Sequence, residues 1–235
     1  MNSKHSGKSF ILLLLSVTAG LTGVVRSDEK DPHPDSILEA ARRSAAQAKN
    51  VTLEGQLRRY ETRKRAKFKV TFRPGQIVFM FPEKPEHIIA LDIMENGHRL
   101  RESKQGSEFA DVPSAAYGND IRGMGVNYLD ISMAYLYWPN AVFEAHDRVS
   151  DMLAYRVSVK NPHKGGPYGS VRLWINKESG APVRIQGISR AGKVIKQMEI
   201  RKVQRVDDTL MPKRMDITTI NPNTGRSISR TFMEL

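Results

Sequence analysis

The 235-residue chain contains no cysteine. It therefore has no disulfides, although an exported protein could form them. It also has no thiol at which a lipid could be attached behind a leader. Its stability must rest on core burial alone, which is feasible at this length. Catalytic signatures are missing too. There is no nucleophile elbow, no His-Glu-x-x-His run and no phosphate loop. Gly123-Met-Gly125 lacks a third glycine and a clear preceding strand, so it is not a dinucleotide fingerprint. The six histidines, His5, His33, His87, His98, His146 and His163, are scattered, and none has a His partner four residues on. No metal site is expected from such spacings. These absences favour binding over chemistry: the expectation is no enzyme, no cofactor and no metal.

Acidic residues are absent until Asp28. Lys4 and Lys8 precede an apolar stretch, Phe10 to Gly20, followed by small residues. A basic start, a short apolar run and small residues make a secretory signal peptide. A membrane span would need about 20 apolar residues. The division expected is a leader over 1–27, cleaved between Gly20 and Asp28, and one domain over 28–235. The expected address is the periplasm.

The formal charge is +12, and removing Lys4, Lys8 and Arg26 with the leader leaves +9. Such an excess favours anionic lipid headgroups or acidic proteins. Export argues against nucleic acid. The densest basic run is Arg58 to Lys69. It reads either as the wet side and turn of a hairpin or as a docking patch formed by Arg58, Arg59, Arg63, Lys64 and Arg65.

The last third of the chain is a ladder of strands. Asn176 to Gly180, Arg190 to Lys193, Asp207 to Thr209 and Asn221 to Gly225 supply turn residues. Between them residues alternate, as in Val171-Arg-Leu-Trp-Ile175, which argues for a large antiparallel sheet with one wet face. Earlier, Val51, Leu53 and Leu57 alternate with polar residues, as do Phe68, Val70 and Phe72. Ile77 to Phe81 is apolar throughout, and its face parity stays open, since Val78 and Met80 serve if the register slips. A helix is expected from Asp35 or Ser36 to Ala48, with Ile37, Leu38, Ala41, Ala45 and Ala48 on one face. A second is expected over 128–137, ending before Trp138-Pro139. Residues 103–127 read as a long polar connection.

The count is about eleven strands. A sheet that wide curls into a surface broader than side chains alone fill. An apolar cavity follows, lined by Phe68, Phe72, Phe79, Leu91 and Ile93, with Trp138 in its cover.

The signal peptide, the Ala-rich first helix, Tyr128-Leu-Asp-Ile-Ser132, Tyr137-Trp-Pro139, Leu173-Trp-Ile-Asn176 and Pro182-Val-Arg-Ile-Gln186 resemble the LolA-like outer-membrane lipoprotein-sorting proteins. The resemblance spans nearly all of 28–235. It implies a mainly β fold, an open (unclosed) antiparallel β-barrel with a helical lid. It also implies a monomeric periplasmic carrier or chaperone whose apolar interior holds lipoprotein acyl chains or another lipid. Its partners would be an inner-membrane transporter and an outer-membrane acceptor. No motif here fixes the position of the lid-locking arginine of the classical carriers. One rival reading is a lipid-responsive envelope sensor that binds an anti-sigma factor. Another is a hydrolase built on Asp and His pairs brought together by folding.

Overall fold

The computed structural model describes residues 31–46, 50–95, 97–206 and 209–235. The expected signal peptide lies outside them, as do Ala48 of the expected first helix, Asn96 and the Asp207-Asp208 turn. Thirteen strands form one antiparallel sheet. They are β1 (Val51–Arg59), β2 (Arg65–Arg73), β3 (Gln76–Phe81), β4 (His87–Met94), β5 (Gly97–Lys104), β6 (Ala110–Asp111), β7 (Val142–Val149), β8 (Met152–Lys160), β9 (Ser170–Asn176), β10 (Pro182–Ile188), β11 (Val194–Val206), β12 (Thr209–Ile220) and β13 (Ser227–Glu234). Their order is β6-β5-β4-β3-β2-β1-β13-β12-β11-β10-β9-β8-β7.

This order has a consequence for everything else. The chain meanders outward from β1 to the edge strand β6. It reappears at the opposite edge as β7, then meanders back until β13 pairs with β1. Residues 112–141 must therefore cross from one edge of the sheet to the other. Inner-face residues from both halves, Leu91 of β4 and Leu173 of β9 among them, share one buried cluster. The sheet is therefore strongly curled, and the crossing segment closes its mouth. The two edges do not pair, so the barrel is open, as the resemblance implies.

Alternation sets the inner face. In β2, Ala66, Phe68 and Val70 are buried while Arg65, Lys67 and Lys69 are exposed. The register carries this parity across: Val70 faces Phe79, Phe79 faces Ile89, and Leu91 faces Leu100. The parity left open for Ile77 to Phe81 is thereby fixed. Ile77, Phe79 and Phe81 look inward.

On the outer face, consecutive cross-strand partners make one row: Arg156, Trp174, Arg184, Glu199, Asp216, Phe232 and Arg58. Arg201 reaches both Glu199 and Asp216, and Arg58 and Arg214 stack on the Phe232 ring at 4.4 and 4.5 Å. Opposite charges and cation–π pairs side by side on a pleat contribute a few tenths of a kcal/mol to about 1 kcal/mol each. These arginines hold the wet face together, and because they are matched by carboxylates or rings they leave the net positive excess unchanged.

The first helix, α1 (Pro34–Ala46), buries Ile37, Leu38 and Ala41 on the core, as its weak apolar stripe predicts. The second differs from expectation. α2 covers only Tyr128–Ser132, and a 3₁₀ turn follows over Ala134–Tyr137. Asn127 and Asp130 start α2 with a reciprocal capping box, and Met133 ends it at φ 52°. A residue at positive φ lies outside the right-handed α region and so ends the helix, in a well that is strained for a side chain with a Cβ. The apolar spacing over 128–137 runs straight through that break.

Glycine has one decisive role in the sheet. Gly187 lies on the inner face of β10, and a Cβ there would sit 2.3 to 2.7 Å from the Tyr168 ring. Gly187→Ala should destabilise the protein by about 1–3 kcal/mol, the usual cost of overpacking, read as a lowered urea midpoint. An unchanged midpoint would show that the ring is free to move.

Candidate functional site

The floor of the curled sheet is largely apolar, and Lys196 is the one lysine or arginine buried on it among the described residues. On β11, Lys196 shares the inner parity of Met198, lying opposite Gly187 of β10 and Thr219 of β12. It is 6% exposed. A lysine so placed must find partners, because an unpaired buried ammonium costs several kcal/mol. It donates to the Thr219 hydroxyl at 2.9 Å and to the Gly125 carbonyl at 2.8 Å, and it lies 3.4 Å from the Asp130 carboxylate.

Asp130 is fully buried on α2. Its carboxylate also accepts from the Asn127 backbone N–H at 3.0 Å and from the Tyr168 hydroxyl. The Asn127 side chain donates to that same Tyr168 oxygen at 3.1 Å. The capping box that starts α2 therefore also holds the counter-ion for the floor lysine. Lys196 and Asp130 tie the crossing segment to the sheet.

The crossing segment is a plug. Residues 103–127 read as a long polar connection, and within it Val112, Tyr117, Ile121, Met124 and Val126 are buried in the central cluster. Their spacing follows neither a helical nor a strand period, because each is turned inward by loop geometry. Leu129, Ile131, Tyr135, Leu136 and Trp138 continue the plug. Further ties hold it. Arg42 Nε of α1 donates to the Leu136 carbonyl at 2.8 Å, and its guanidinium lies over the Tyr137 ring. The Thr231 hydroxyl of β13 donates to the Met124 carbonyl. At the β4–β5 side the Tyr128 hydroxyl donates to Glu102, which also pairs with His87 at 2.9 Å and Lys104 at 2.8 Å.

Titration follows burial. Burial alone would raise the Glu102 carboxyl, but hydrogen bonds from Lys104, Tyr128 and His87 outweigh it and hold it below its ordinary value. Burial, then Glu102, pushes the Tyr128 hydroxyl up. Burial lowers His87 more than Glu102 raises it. Burial, with a small addition from His163, lowers His98 to about 4. His98 sits in β5 against the Tyr137 ring, with centroids 6.0 Å apart.

All six expected lining residues join one cluster. Phe68, Phe79, Leu91 and Trp138 are buried in it, while Phe72 and Ile93 are partly buried against it. They are brought together as an interior, and the plug occupies that interior. Two surface pockets lie elsewhere. One, of 270 Å³, runs between α1 and the Asn176–Gly180 turn, and its wall includes Arg43, Tyr155 and Lys177. The other, of 720 Å³, is lined by Lys84, Pro85, Glu86, Gln105 and Gly106. Neither is lined by any of the six. Among the described residues, no three His, Asp or Glu converge to hold a metal ion, and no helix is long and apolar enough to cross a membrane.

The basic run divides in two. Arg58 stacks on Phe232 and lies 3.8 Å from Glu234. Arg59 donates to the Gly123 carbonyl of the plug at 3.0 Å. Arg63, Lys64 and Arg65 are exposed at the hairpin turn. Sequence reasoning missed Lys196 and Asp130. The signal for Lys196 was its period-2 phase with Met198; the signal for Asp130 was a lone acid within Tyr128-Leu-Asp-Ile-Ser132.

A family model described as "Uncharacterized protein" matches residues 107–234, more than half of the chain. The chain belongs to that family. The match takes in the plug and the returning half of the sheet. No curated protein matches the sequence. Among solved structures, a LolA superfamily protein from Nitrosomonas europaea superposes with a TM-score of 0.66 at 14% identity, over 87% of this chain and 91% of that one. A DUF1329 family protein from Desulfovibrio piger gives 0.61 at 11% identity, over 87% and 91%. A domain assigned to outer membrane lipoprotein sorting from Vibrio parahaemolyticus gives 0.58 at 12%, over 86% and 91%. At these identities the likeness is one of fold, and the fold is LolA-like.

Lys196→Met should cost about 3–5 kcal/mol, because Asp130 stays buried without its cation. Adding Asp130→Asn should restore part of the loss. Urea denaturation of both variants reads this out, and a single variant within about 1 kcal/mol of wild type would remove the pair from its central place.

The histidines set a pH dependence. Below about pH 6.5 the unfolded chain takes up protons that folded His98 and His87 refuse. Their contribution is therefore complete above that pH and is lost as pH falls toward 4. Urea midpoints from pH 8 to 4 should decline less steeply for His98→Gln than for wild type. Parallel profiles would contradict the assignment.

Proposed function

We propose that this protein is a periplasmic lipoprotein-sorting carrier that binds acyl chains in its apolar interior for transfer to the outer membrane. One observation carries the reading. An apolar inner face spanning both halves of the sheet is closed by a plug that belongs to no strand ladder and is held by its own apolar burial and a small set of polar ties. Such a plug can leave without dismantling the sheet. The LolA-like fold, shared with the lipoprotein-sorting domain from Vibrio parahaemolyticus, supports the same reading.

Exchange of plug for ligand sets two large burial energies against each other. A chain of about 16 carbons gains roughly 12 kcal/mol on leaving water, at about 0.8 kcal/mol per CH₂. Breaking a buried ion pair costs about 3–5 kcal/mol. The plug also returns its own apolar side chains to water, at about 1.5–3 kcal/mol each, so a single chain does not displace it and two or three chains bring the exchange near balance. Near-balance suits a carrier, which must pass its cargo to an acceptor. Export through a signal peptide over 1–27 would deliver it to the periplasm. Arg63, Lys64 and Arg65 give it a cationic corner for anionic headgroups or an acidic membrane partner.

The test is binding of a fluorescent acyl probe to the mature protein, beside native mass spectrometry of protein purified from its host. Wild type should bind the probe and carry lipid. Phe79→Asp should bind at least tenfold more weakly while its circular dichroism stays native, since a carboxylate would sit where a chain must lie. A host-purified protein without lipid that also ignores the probe would end the carrier reading.

A further inference from the structure

Successive hairpin connections of an antiparallel sheet fall at alternate ends of its strands. Along β2-β1-β13-β12-β11-β10-β9-β8 the connections 60–64, 221–226, 189–193 and 161–169 lie at one end and are neighbours in the sheet order. They hold six cations, Arg63, Lys64, Lys164, Arg190, Lys193 and Arg226, and one acid, Glu61. The connections at the opposite ends of these strands, 74–75, 150–151, 177–181 and 207–208, hold four acids and one cation in sequence. The topology therefore sorts charge onto one rim, although its members are spread over more than 160 positions of the chain.

The rim is exposed and held in shape. All six cationic residues are exposed. Arg190 pins one connection to the next, donating to the carbonyls of Lys164, Gly165 and Gly166. The single acid is engaged: Glu61 accepts from the Arg230 backbone N–H at 2.8 Å and lies 3.8 Å from Arg59 Nε. Adjacent strands stand about 4.8 Å apart, so eight of them spread this charge along an arc of roughly 34 Å. An acidic peptide would be held by cations gathered round one cleft, yet neither surface pocket has any of the six in its wall. A long, open row of cations matches a laterally continuous anionic surface instead. Tyr60 stands in the same rim, 65% exposed, with its ring edge-on to Phe232. Tyrosine is enriched at the headgroup level of bilayers, where its ring is half wet and half apolar.

Resting on the envelope address of the carrier reading, we propose that this rim docks the protein on an anionic bilayer. Arg63, Lys64, Lys164, Lys193 and Arg226 meet the lipid phosphates, and Tyr60 sits among the headgroups. The helix α1, which packs against Gly180 at the opposite end, then faces away from the membrane. The docked rim is also the end that the plug reaches, since Arg59 donates to the Gly123 carbonyl.

The experiment is co-sedimentation of the mature protein with vesicles of phosphatidylcholine alone and of phosphatidylcholine with an equal part of phosphatidylglycerol. Wild type should bind the anionic vesicles, ignore the neutral ones, and come off as salt shortens the Debye length from about 10 Å to about 3 Å. Each cation near such a surface strengthens binding about fivefold. The combined variant Lys164→Glu, Lys193→Glu, Arg226→Glu should therefore bind at least about a hundredfold more weakly. A control of equal net charge, Arg73→Glu, Lys202→Glu, Lys213→Glu, reverses exposed cations toward the opposite end and should lose far less. Tyr60→Ser should weaken binding about fivefold at unchanged charge, the worth of part of its ring; an unchanged affinity would strike Tyr60 from the surface. Circular dichroism and acyl-probe binding are read on every variant. A rim variant that keeps its fold and the probe while losing the vesicles supports docking as a property apart from carriage. Equal losses in the two triple variants reduce the attraction to net charge and overturn the rim. Wild type that ignores anionic vesicles, or that an acidic protein retains when vesicles do not, overturns it as well. Vesicle binding without any probe binding by wild type defeats the carrier reading and leaves the docking rim in place.

Discussion

The structure turns on one ion pair that crosses between two parts of the chain. Lys196 rises from the sheet floor, and Asp130 meets it from the plug. Each would be untenable alone in an apolar interior, so neither part is complete without the other. The topology makes this necessary. The two halves of the sheet join at β1 and β13, and the chain between the outer edges has to cross the concave face. A segment that crosses an apolar bowl will fill it with its own side chains. The pair, with Tyr168, Asn127 and Thr219 around it, settles where that segment sits. Directional polar contacts specify register where apolar packing alone would permit several arrangements.

The sheet was legible and the plug was not, for physical reasons. A strand repeats every two residues, so Phe68, Val70 and Phe72 declare a face by themselves, and hairpin registers extend that face from strand to strand. The turns were marked by Gly, Asn and Pro. The plug has no period. Val112, Tyr117, Ile121, Met124 and Val126 are separated by irregular intervals, and the glycines and polar residues between them look like surface loop. Met133 breaks the helix through backbone geometry that methionine does not advertise. Lys196 was in phase with Met198 throughout, but a lysine in a strand is ordinarily read as wet, and the partner that makes it dry lies 66 positions away in sequence. Phe68, Phe72, Phe79, Leu91 and Ile93 were legible as an inner face because they belong to ladders, whereas Trp138 and the plug cluster around it belong to none.

The charge of the chain also looks different in three dimensions. Arg156, Arg184, Arg58 and Arg214 are engaged with carboxylates or aromatic rings on the outer face, and Arg59 is engaged with the plug. Exposed cations remain on the surface, among them Arg63, Lys64 and Arg65 at the β1–β2 turn. That turn lies beside the plug, since Arg59 reaches Gly123. A membrane or acidic partner touching Arg63, Lys64 and Arg65 would therefore stand next to a segment whose movement opens the interior, and docking and opening could be coupled without a distant relay.

The central claim is that the plug leaves while the sheet stays. Native-state amide hydrogen exchange measures this directly, because local and global openings have separate free energies. Peptides from 112–138 should exchange through an opening that is several kcal/mol easier than global unfolding, while those from β9 and β12 exchange only globally. An acyl ligand should change the exchange of 112–138 and of the inner strands it contacts. If the plug and the sheet exchange together at the global free energy, with and without lipid, the plug is simply core, and the account is wrong.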